Sequence, residues 1–266
     1  FDEVIDGISR KEEELACYNC TVQIKRVAVD TEEQIRAIDE FVADGINGIA
    51  ISPTNDSHID KKINQLYDLG IPVVALNTDI KDSKRIAFVG SNYYQSGATA
   101  AGLMRLMAKG EDVNIGIIAG SSEILCHTER IAGFKHAIEN YNHINVVETI
   151  MNHDDDFVSY DMTSQLLKSH PEINALFFAA GGVYGGCRSV IAQERTQDMT
   201  IITFDQVATT KEMIEKDVIS ATICQEPFVQ GNKPLDILFT YLATGELPEQ
   251  EYNYTAVDIR IKENLD

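Results

Sequence analysis

IITFD (residues 201–205) and ATICQ (residues 221–225) are two apolar, β-rich stretches that each end in a polar side chain. Strands that read as near-continuous apolar runs are buried on both faces, as in a parallel sheet covered by helices. The carboxyl ends of such strands border the crevice in which ligands bind. The sequence therefore predicts that Asp205 and Gln225 point into a site.

Strand-like and helix-like segments alternate along most of the chain. The capping-box sequence TEEQ (residues 31–34) predicts the start of one of the helices. Strand–helix alternation predicts an α/β fold with doubly wound parallel sheets, and two series of strands predict two similar lobes. The first predicted series is 22–29, 46–51, 71–76 and 86–89, and the second is 113–119, 144–151, 173–178, 199–204 and 219–224.

The chain opens directly on a predicted helix, in which Val4, Ile5 and Ile8 follow helical spacing. A βαβ unit needs a strand before that helix, and the sequence contains none there. We therefore expect the native protein to continue upstream of Phe1, with the first strand of the N-terminal lobe in that missing segment.

The net charge of the chain argues against two classes of anionic partner, nucleic acids and anionic membranes. It has 22 basic and 42 acidic residues, a formal net charge of −20. Nucleic-acid and anionic-membrane binding both draw on Lys and Arg, so we expect neither from this segment by itself. No apolar run approaches the roughly 18 residues of a membrane span.

The chain has five cysteines, at positions 17, 20, 126, 187 and 224. An odd, scattered set is not typical of a disulfide framework and favours a reducing compartment. Cys17 and Cys20 form a C-x-x-C motif, which suggests a redox or zinc site. No second pair of ligands follows at a suitable spacing, so the sequence favours two ordinary thiols.

Polar residues also follow other predicted strands, and these extend the candidate site. Ser52, Asn77 and Ser121 stand at such strand ends. Arg130 lies at the start of a predicted helix, where a cation opposes the helix dipole, so helix stability does not explain it. Its guanidinium offers five donors in a fixed fork, suited to hydroxyls or a carboxylate. An exposed surface arginine is the alternative.

Catalytic and cofactor motifs are weak. GGVYGG (residues 181–186) links a strand to a helix but lacks dinucleotide and P-loop spacing, so its glycines are expected to admit a ligand or a neighbouring helix. HDDD (residues 153–156) is better explained as an acidic helix start than as a metal site. An acid–base pair of Asp205 with His127 has no support. We expect no cofactor, no metal, no catalytic residue and no enzyme activity.

The chain resembles the type I periplasmic binding protein fold, as in ribose-binding protein and the effector domains of the lac/galactose-repressor family. The resemblance rests on IPVV with Asn77, RIAGF at 130–134, TFD at 203–205 and ATICQ at 221–225. It implies two lobes joined by three crossovers, with a sugar bound between them. The lobes implied are 1–92 plus 226–253 and 93–225 plus 254–266.

The resemblance also implies roles for individual residues. Arg130 and Asp205 would hold ligand hydroxyls from the second lobe, Gln225 from beside a crossover, and Asn77 from the first lobe, where ribose-binding proteins carry Asp. Family members stack aromatic rings on the sugar. The expected ligand-binding residues are therefore Phe1, Ser52, Asn77, Tyr93, Arg130, Tyr184, Asp205 and Gln225.

Two functions are compatible with this resemblance. The closing segment IRIKENL (residues 259–265), the stretch SNYYQSG (residues 91–97) and the cysteines favour the sugar-sensing domain of a cytoplasmic lac/galactose-type transcription regulator. Such a regulator would be a homodimer and would bind DNA only through a helix-turn-helix upstream of Phe1. The alternative is an extracytoplasmic sugar-binding protein of a transport system. The ligand expected in both cases is a carbohydrate or polyol.

Overall fold

The computed structural model describes residues 2–28, 30–122 and 124–265. Phe1, one of the expected ligand-binding residues, lies outside the described residues. The helices and strands, in chain order, are α1 Asp2–Leu15, α2 Thr31–Ala43, β1 Ile49–Ile51, α3 Ser57–Asp68, β2 Val73–Leu76, β3 Ala87–Gly90, α4 Tyr93–Ala108, β4 Val113–Ala119, α5 Leu125–Ile138, β5 Ile144–Met151, α6 Asp156–Ser169, β6 Ala175–Phe178, α7 Val183–Ala192, β7 Thr200–Phe204, α8 Ala208–Glu215, β8 Ala221–Cys224, α9 Pro227–Thr244, β9 Tyr252–Tyr254 and β10 Asp258–Arg260.

The contacts divide the chain into two compact units. The first contains the residues up to Ser91 together with Glu226–Ala256, and the second contains Asn92–Gln225 together with the residues from Val257 onward. The chain therefore passes from one unit to the other three times. Strand–helix alternation in both units confirms the predicted α/β class.

The first unit is built on a four-stranded parallel sheet in the order β1-β2-β3-β9. Its central strands are apolar because both faces are covered. One apolar cluster packs β1 and β2 against α2 and α3, and another packs β2 and β3 against α9. Every residue of β2 and β3 is buried. The carboxyl ends of β1 and β2 consequently lie side by side at one edge.

The second unit has a six-stranded sheet in the order β10-β8-β7-β6-β4-β5, parallel except for β10, which runs antiparallel to β8. Apolar clusters fill both faces. Phe134 of α5 stacks on Phe177 of β6, with ring centroids 4.4 Å apart. Because β4 to β8 are parallel, the segments that follow these strands all emerge at the same edge.

The glycine-rich stretch at 181–186 serves helix packing, one of the two roles expected of it. Gly182 precedes α7 with a φ of 74° in the left-handed region. A Cβ on Gly185 would lie 1.8 Å from the main-chain oxygen of Asp156, so α7 approaches α6 closely only because this residue is glycine. No phosphate-binding geometry is needed to explain these glycines.

The predicted strand at 22–29 is wrong over the described residues 22–28, which are irregular and largely exposed. Alternation alone does not make a strand, because a strand needs a hydrogen-bonded neighbour, and no described strand pairs with this segment. The capping box is also shifted. Asp30 is the N-cap of α2, and its side chain accepts from the Glu33 N–H at 2.8 Å.

Candidate ligand-binding site

Asp205 follows β7 at the carboxyl edge of the second sheet. Its φ of 66° lies in the left-handed region, which is uncommon for a residue other than glycine. Two bonds hold it there: its N–H donates to Ile223 O at 2.9 Å, and Thr222 Oγ1 donates to its carbonyl at 3.0 Å. The main chain is thus fixed by β8, while the carboxylate side is exposed to solvent.

Gln225, at the end of β8, lies against Asp205. The residue is only 8% exposed, and its Nε2 donates to Asp205 Oδ1 at 2.6 Å. This bond orients one carboxylate oxygen and leaves the remaining lone pairs of the carboxylate available for other donors. The two stretches that predict the fold therefore meet in one hydrogen bond.

Arg130 lies in the second turn of α5, because that helix begins at Leu125. It is buried, at 5% exposure, so the surface-arginine alternative is wrong. Its Nη1 donates to Ala179 O at 2.9 Å, and its Cζ lies 3.8 Å from the ring centroid of Phe204. Its Nε has no hydrogen-bond partner among the described residues. A buried donor without a partner is costly, and a bound acceptor would remove that cost.

Tyr93 and Tyr184 are placed differently from the stacking platforms that the resemblance implies. Tyr93 is the first residue of α4, is 4% exposed, and lies beside Arg130, with 5.4 Å between its ring centroid and Cζ. Burial raises the pKa of the Tyr93 hydroxyl well above its usual range. Tyr184 is half-buried against the apolar cluster of the second unit. The Tyr93 ring is largely covered by protein contacts, whereas Tyr184 keeps part of its surface exposed.

In the first unit, Ser52 and Asn77 lie at the carboxyl ends of β1 and β2. Asn77 has a φ of 57°, and its N–H donates to Val89 O at 3.0 Å. Its Nδ2 lies 3.4 Å from Ser52 Oγ, within donating distance. Both residues are half-buried. The first unit therefore presents a neutral amide and a hydroxyl at its edge.

Sequence reasoning missed Gln34, which positions the Ser52 loop. This side chain of α2 is 6% exposed; its Nε2 donates to Ser52 O at 3.2 Å, and its Oε1 accepts from the Thr54 N–H at 2.9 Å. In the sequence, Gln34 was assigned to a capping box. Gln34 precedes the apolar residue Ile38 by four positions, a helical spacing that places both side chains on the same helix face. This spacing was the available sign of an inward-facing side chain.

The HDDD stretch begins a helix, as expected. Asp155 is the N-cap of α6, and its Oδ1 accepts from the N–H groups of Phe157 and Val158 at 2.8 and 2.9 Å. In the described parts of the chain, no group of three or more His, Cys, Asp or Glu residues could hold a metal ion. Asp154 is nevertheless not an ordinary cap residue, since it lies 3.8 Å from His127.

The relationship to known proteins follows from comparison of the whole chain. A family model described as periplasmic binding protein domain matches residues 1–247. The chain belongs to this family. It is 26% identical over 231 residues to the D-ribose/D-allose-binding protein of Pseudomonas aeruginosa, which covers 84% of this chain and 71% of that protein.

Two further relatives agree with this family. The chain is 24% identical over 202 residues to the ribose import binding protein RbsB of Bacillus subtilis, covering 76% of this chain but only 65% of that protein. Among solved structures, a sugar ABC transporter (sugar-binding protein) from Bacillus halodurans is 28% identical with a TM-score of 0.88, covering 98% of this chain and 92% of that one.

The expectation of a cytoplasmic transcription regulator is wrong. The three relatives described above are named as sugar-binding proteins, one of them as an import binding protein and one as part of a sugar ABC transporter. A putative LacI transcriptional regulator from Bacteroides fragilis has a similar structure, but at 23% identity it shows the fold alone. The relatives therefore do not support the expected DNA partner or the expected homodimer. The closing segment misled because residues 258–260 form β10, which pairs with β8 and completes the second sheet, a structural role unrelated to DNA binding.

The cysteines also pointed to the wrong compartment. All five are free thiols in the structure. Burial raises the pKa of Cys126 and, much more strongly, of Cys187. Since the thiolate is the form that oxidises, burial with a raised pKa protects the thiols of Cys126 and Cys187, and these two cysteines do not indicate a reducing compartment. Over the described residues, no helix is long and apolar enough to span a membrane.

Proposed function

We propose that this chain is the sugar-binding component of an ABC import system and binds a small neutral monosaccharide outside the cytoplasm. The main support is the cluster Arg130, Asp205 and Gln225, which we call the second-sheet cluster. It combines a buried guanidinium, whose Nε has no hydrogen-bond partner among the described residues, with an exposed carboxylate. The family and the names of the relatives point the same way.

The charges of the second-sheet cluster favour a neutral polyhydroxylated ligand. One ligand hydroxyl can accept from the Arg130 guanidinium and another can donate to the Asp205 carboxylate, so a ligand with several hydroxyls can pair with both residues without carrying a net charge. An anionic ligand would meet the Asp205 charge, and a cationic ligand would meet Arg130. Within the first unit, Ser52 and Asn77 present a neutral hydroxyl and a neutral amide, groups that also pair with hydroxyls.

Calorimetry with four neutral sugars tests this proposal. D-ribose, D-allose, D-xylose and L-arabinose are titrated into the protein, with ribose 5-phosphate as an anionic control. We expect at least one neutral sugar to bind and the phosphate ester to bind at least about tenfold more weakly than ribose, because like-charge juxtaposition near Asp205 is unfavourable. The absence of binding by all four sugars contradicts the proposal.

Import and location need a separate measurement. We expect the full-length protein to be recovered outside the cytoplasm when cells are fractionated, and its deletion to slow uptake of the sugar identified by calorimetry. The bound sugar should be released chemically unchanged, because the role is binding. Recovery of the full-length protein with the cytosol contradicts this part of the proposal.

A further inference from the structure

His127 and Asp154 form a pair at the same edge of the second sheet, outside the second-sheet cluster. His127 precedes Arg130 by three residues on α5, so the two side chains share a helix face. Asp154 follows β5. His127 Nε2 lies 3.8 Å from Asp154 Oδ1; the His127 side chain is 8% exposed and that of Asp154 is 39% exposed. The pair is therefore anchored on one side and accessible on the other.

The Asp154 carboxylate is held in place by its surroundings. His153 and Asp154 both adopt left-handed backbone, with φ of 54° and 58°, which is strained for consecutive residues other than glycine. The Asp154 N–H donates to Asn152 Oδ1 at 3.0 Å, and its Oδ1 accepts from the Gly181 N–H at 2.8 Å. A Cβ at Gly120 would lie 2.4 Å from Asp154 Oδ2. The position of this carboxylate thus depends on a glycine.

The tautomer of His127 is set by Ser121. The Ser121 N–H donates to His127 Nδ1 at 3.2 Å, so Nδ1 carries no proton and the neutral ring carries its proton on Nε2. Burial lowers the pKa of His127, and the positive charge of Arg130 acts in the same direction against the opposing effect of Asp154. At neutral pH, the ring therefore carries an Nε2–H donor beside the acceptor Asp154 Oδ1.

The separation of this donor and acceptor suits one bridging oxygen. At 3.8 Å, Nε2 and Oδ1 are too far apart for a direct hydrogen bond. A single oxygen can lie about 2.8 Å from both atoms, within normal hydrogen-bond distance. A hydroxyl oxygen accepts from Nε2–H and donates to the carboxylate at once. Neither a methylene group nor a second carboxylate does so.

We propose that His127 and Asp154 bind one hydroxyl of the sugar, as a specificity-determining pair that adds to the second-sheet cluster. This rests on the proposed function. The pair would select sugars that carry a hydroxyl at one position, because an analogue with hydrogen there would cover the His127 Nε2–H without supplying an acceptor. Such unsatisfied polar groups give stronger discrimination than apolar contacts do.

The test uses two variants that keep the anchoring bonds. Asp154→Asn retains an oxygen for the Gly181 N–H but loses the charge, and His127→Asn retains an oxygen near the Nδ1 position for Ser121 but loses the Nε2–H donor. His136→Asn and Asp161→Asn change exposed residues of α5 and α6 and serve as matched controls. Thermal melts of each ligand-free variant check folding.

Affinities are measured by calorimetry for the tightest binder among D-ribose, D-allose, D-xylose and L-arabinose, and for its monodeoxy analogues. We expect Asp154→Asn to bind the parent sugar about 10- to 100-fold more weakly, as for a lost hydrogen bond to a charged group, and His127→Asn about 3- to 10-fold more weakly, as for a lost bond from a neutral donor. One deoxy analogue should show the same loss in the wild type and little further loss in either variant. The controls should stay within about twofold.

Two results overturn the inference in distinguishable ways. If the wild type binds none of the four sugars, the proposed function fails and this inference fails with it. The inference alone fails if the wild type binds a sugar and both folded variants bind that sugar with an affinity within twofold of the wild type. It also fails alone if the loss of affinity on going from the sugar to each deoxy analogue is the same in the variants as in the wild type. In either case the pair does not contact a hydroxyl, and the proposed function stands.

Discussion

Each unit buries an arginine, and the two are satisfied very differently. In the first unit, Arg85 has no exposed side-chain surface; its Nε and Nη2 donate to the two oxygens of Asp79, and its Nη1 donates to Glu251 at 2.9 Å. In the second unit, Arg130 has one main-chain acceptor, Ala179 O, and a buried Nε without a partner among the described residues.

The difference supports a structural role for Arg85 and the proposed ligand-binding role of Arg130. A buried guanidinium with all three of its nitrogens bonded to carboxylates has few donors left for a ligand, and removing it leaves the partner carboxylate buried without its cation. A buried guanidinium held by one carbonyl and two aromatic rings, those of Phe204 and Tyr93, keeps its position while retaining donors. Burial alone would not distinguish the two residues, whereas the pairing of their donors does.

Replacing Arg85 should give the largest effect. Arg85→Met leaves the Asp79 carboxylate, which has 5% side-chain exposure, buried without its cation. We expect a loss of about 3–5 kcal/mol in the free energy of unfolding, measured by urea denaturation. The neighbouring Lys84→Met breaks an exposed pair with Asp68 and should cost no more than about 1 kcal/mol. Equal losses for the two variants would show that Arg85 is not structural.

Arg130→Met should reverse this pattern. Met keeps the apolar contact with Phe204 and removes a charge that is incompletely paired, so the free energy of unfolding should change less than in Arg85→Met. Affinity for the sugar identified by calorimetry should fall by roughly 100-fold, as expected for losing hydrogen bonds from a charged group. A variant that is as unstable as Arg85→Met but binds normally would falsify the distinction between the two arginines.

Asp205→Asn should give a smaller loss confined to binding. Asn tolerates the left-handed backbone and still accepts from Gln225, so stability should stay within about 0.5 kcal/mol. Affinity should fall about tenfold, because a neutral amide accepts hydroxyls less strongly than a carboxylate. Asp217 shares the left-handed backbone, with φ of 58°, but precedes β8. Asp217→Asn is the matched control and should bind normally; a similar loss in both variants contradicts a local role.

The sequence predicted the main strands of the second unit well because apolar residues are closely spaced along them. The strands Val113–Ala119 and Ile144–Met151 were predicted with the observed bounds. Several others were predicted one to three residues too early, since apolar residues such as Ile173 pack in the core before the hydrogen-bonded ladder begins. The segment at 22–28 failed because a ladder depends on a neighbour that periodicity does not reveal.

The candidate site was only partly predictable. Asp205, Gln225 and Asn77 could be predicted from the sequence because each directly follows an apolar run that predicts a strand. Gln34 and Asp154 act through contacts with segments 20 or more residues away, Thr54 and Gly181, so no local pattern marks them. Asp154 was hidden within an acidic helix start, and the structure distinguishes it from the N-cap Asp155 beside it.

The pH dependence of stability gives the smallest expected effect and tests the electrostatics around Arg130. The pKa of His127 in the folded state lies below its unfolded value, about 6.5, because of burial and of Arg130. Between these two pKa values the unfolded chain binds more protons than the folded one. The contribution of His127 to the free energy of unfolding is therefore fully present above about pH 6.5 and is lost as the pH falls below that value. The fall in melting temperature between pH 7.5 and pH 5.5 should be a few degrees smaller in His127→Asn than in the wild type. The exposed His136→Asn should follow the wild type. A larger fall in melting temperature in His127→Asn than in the wild type would contradict this expectation. It would mean that Asp154 stabilises protonated His127 more than burial and Arg130 disfavour it. The carboxylates at this edge of the sheet would then dominate its electrostatics.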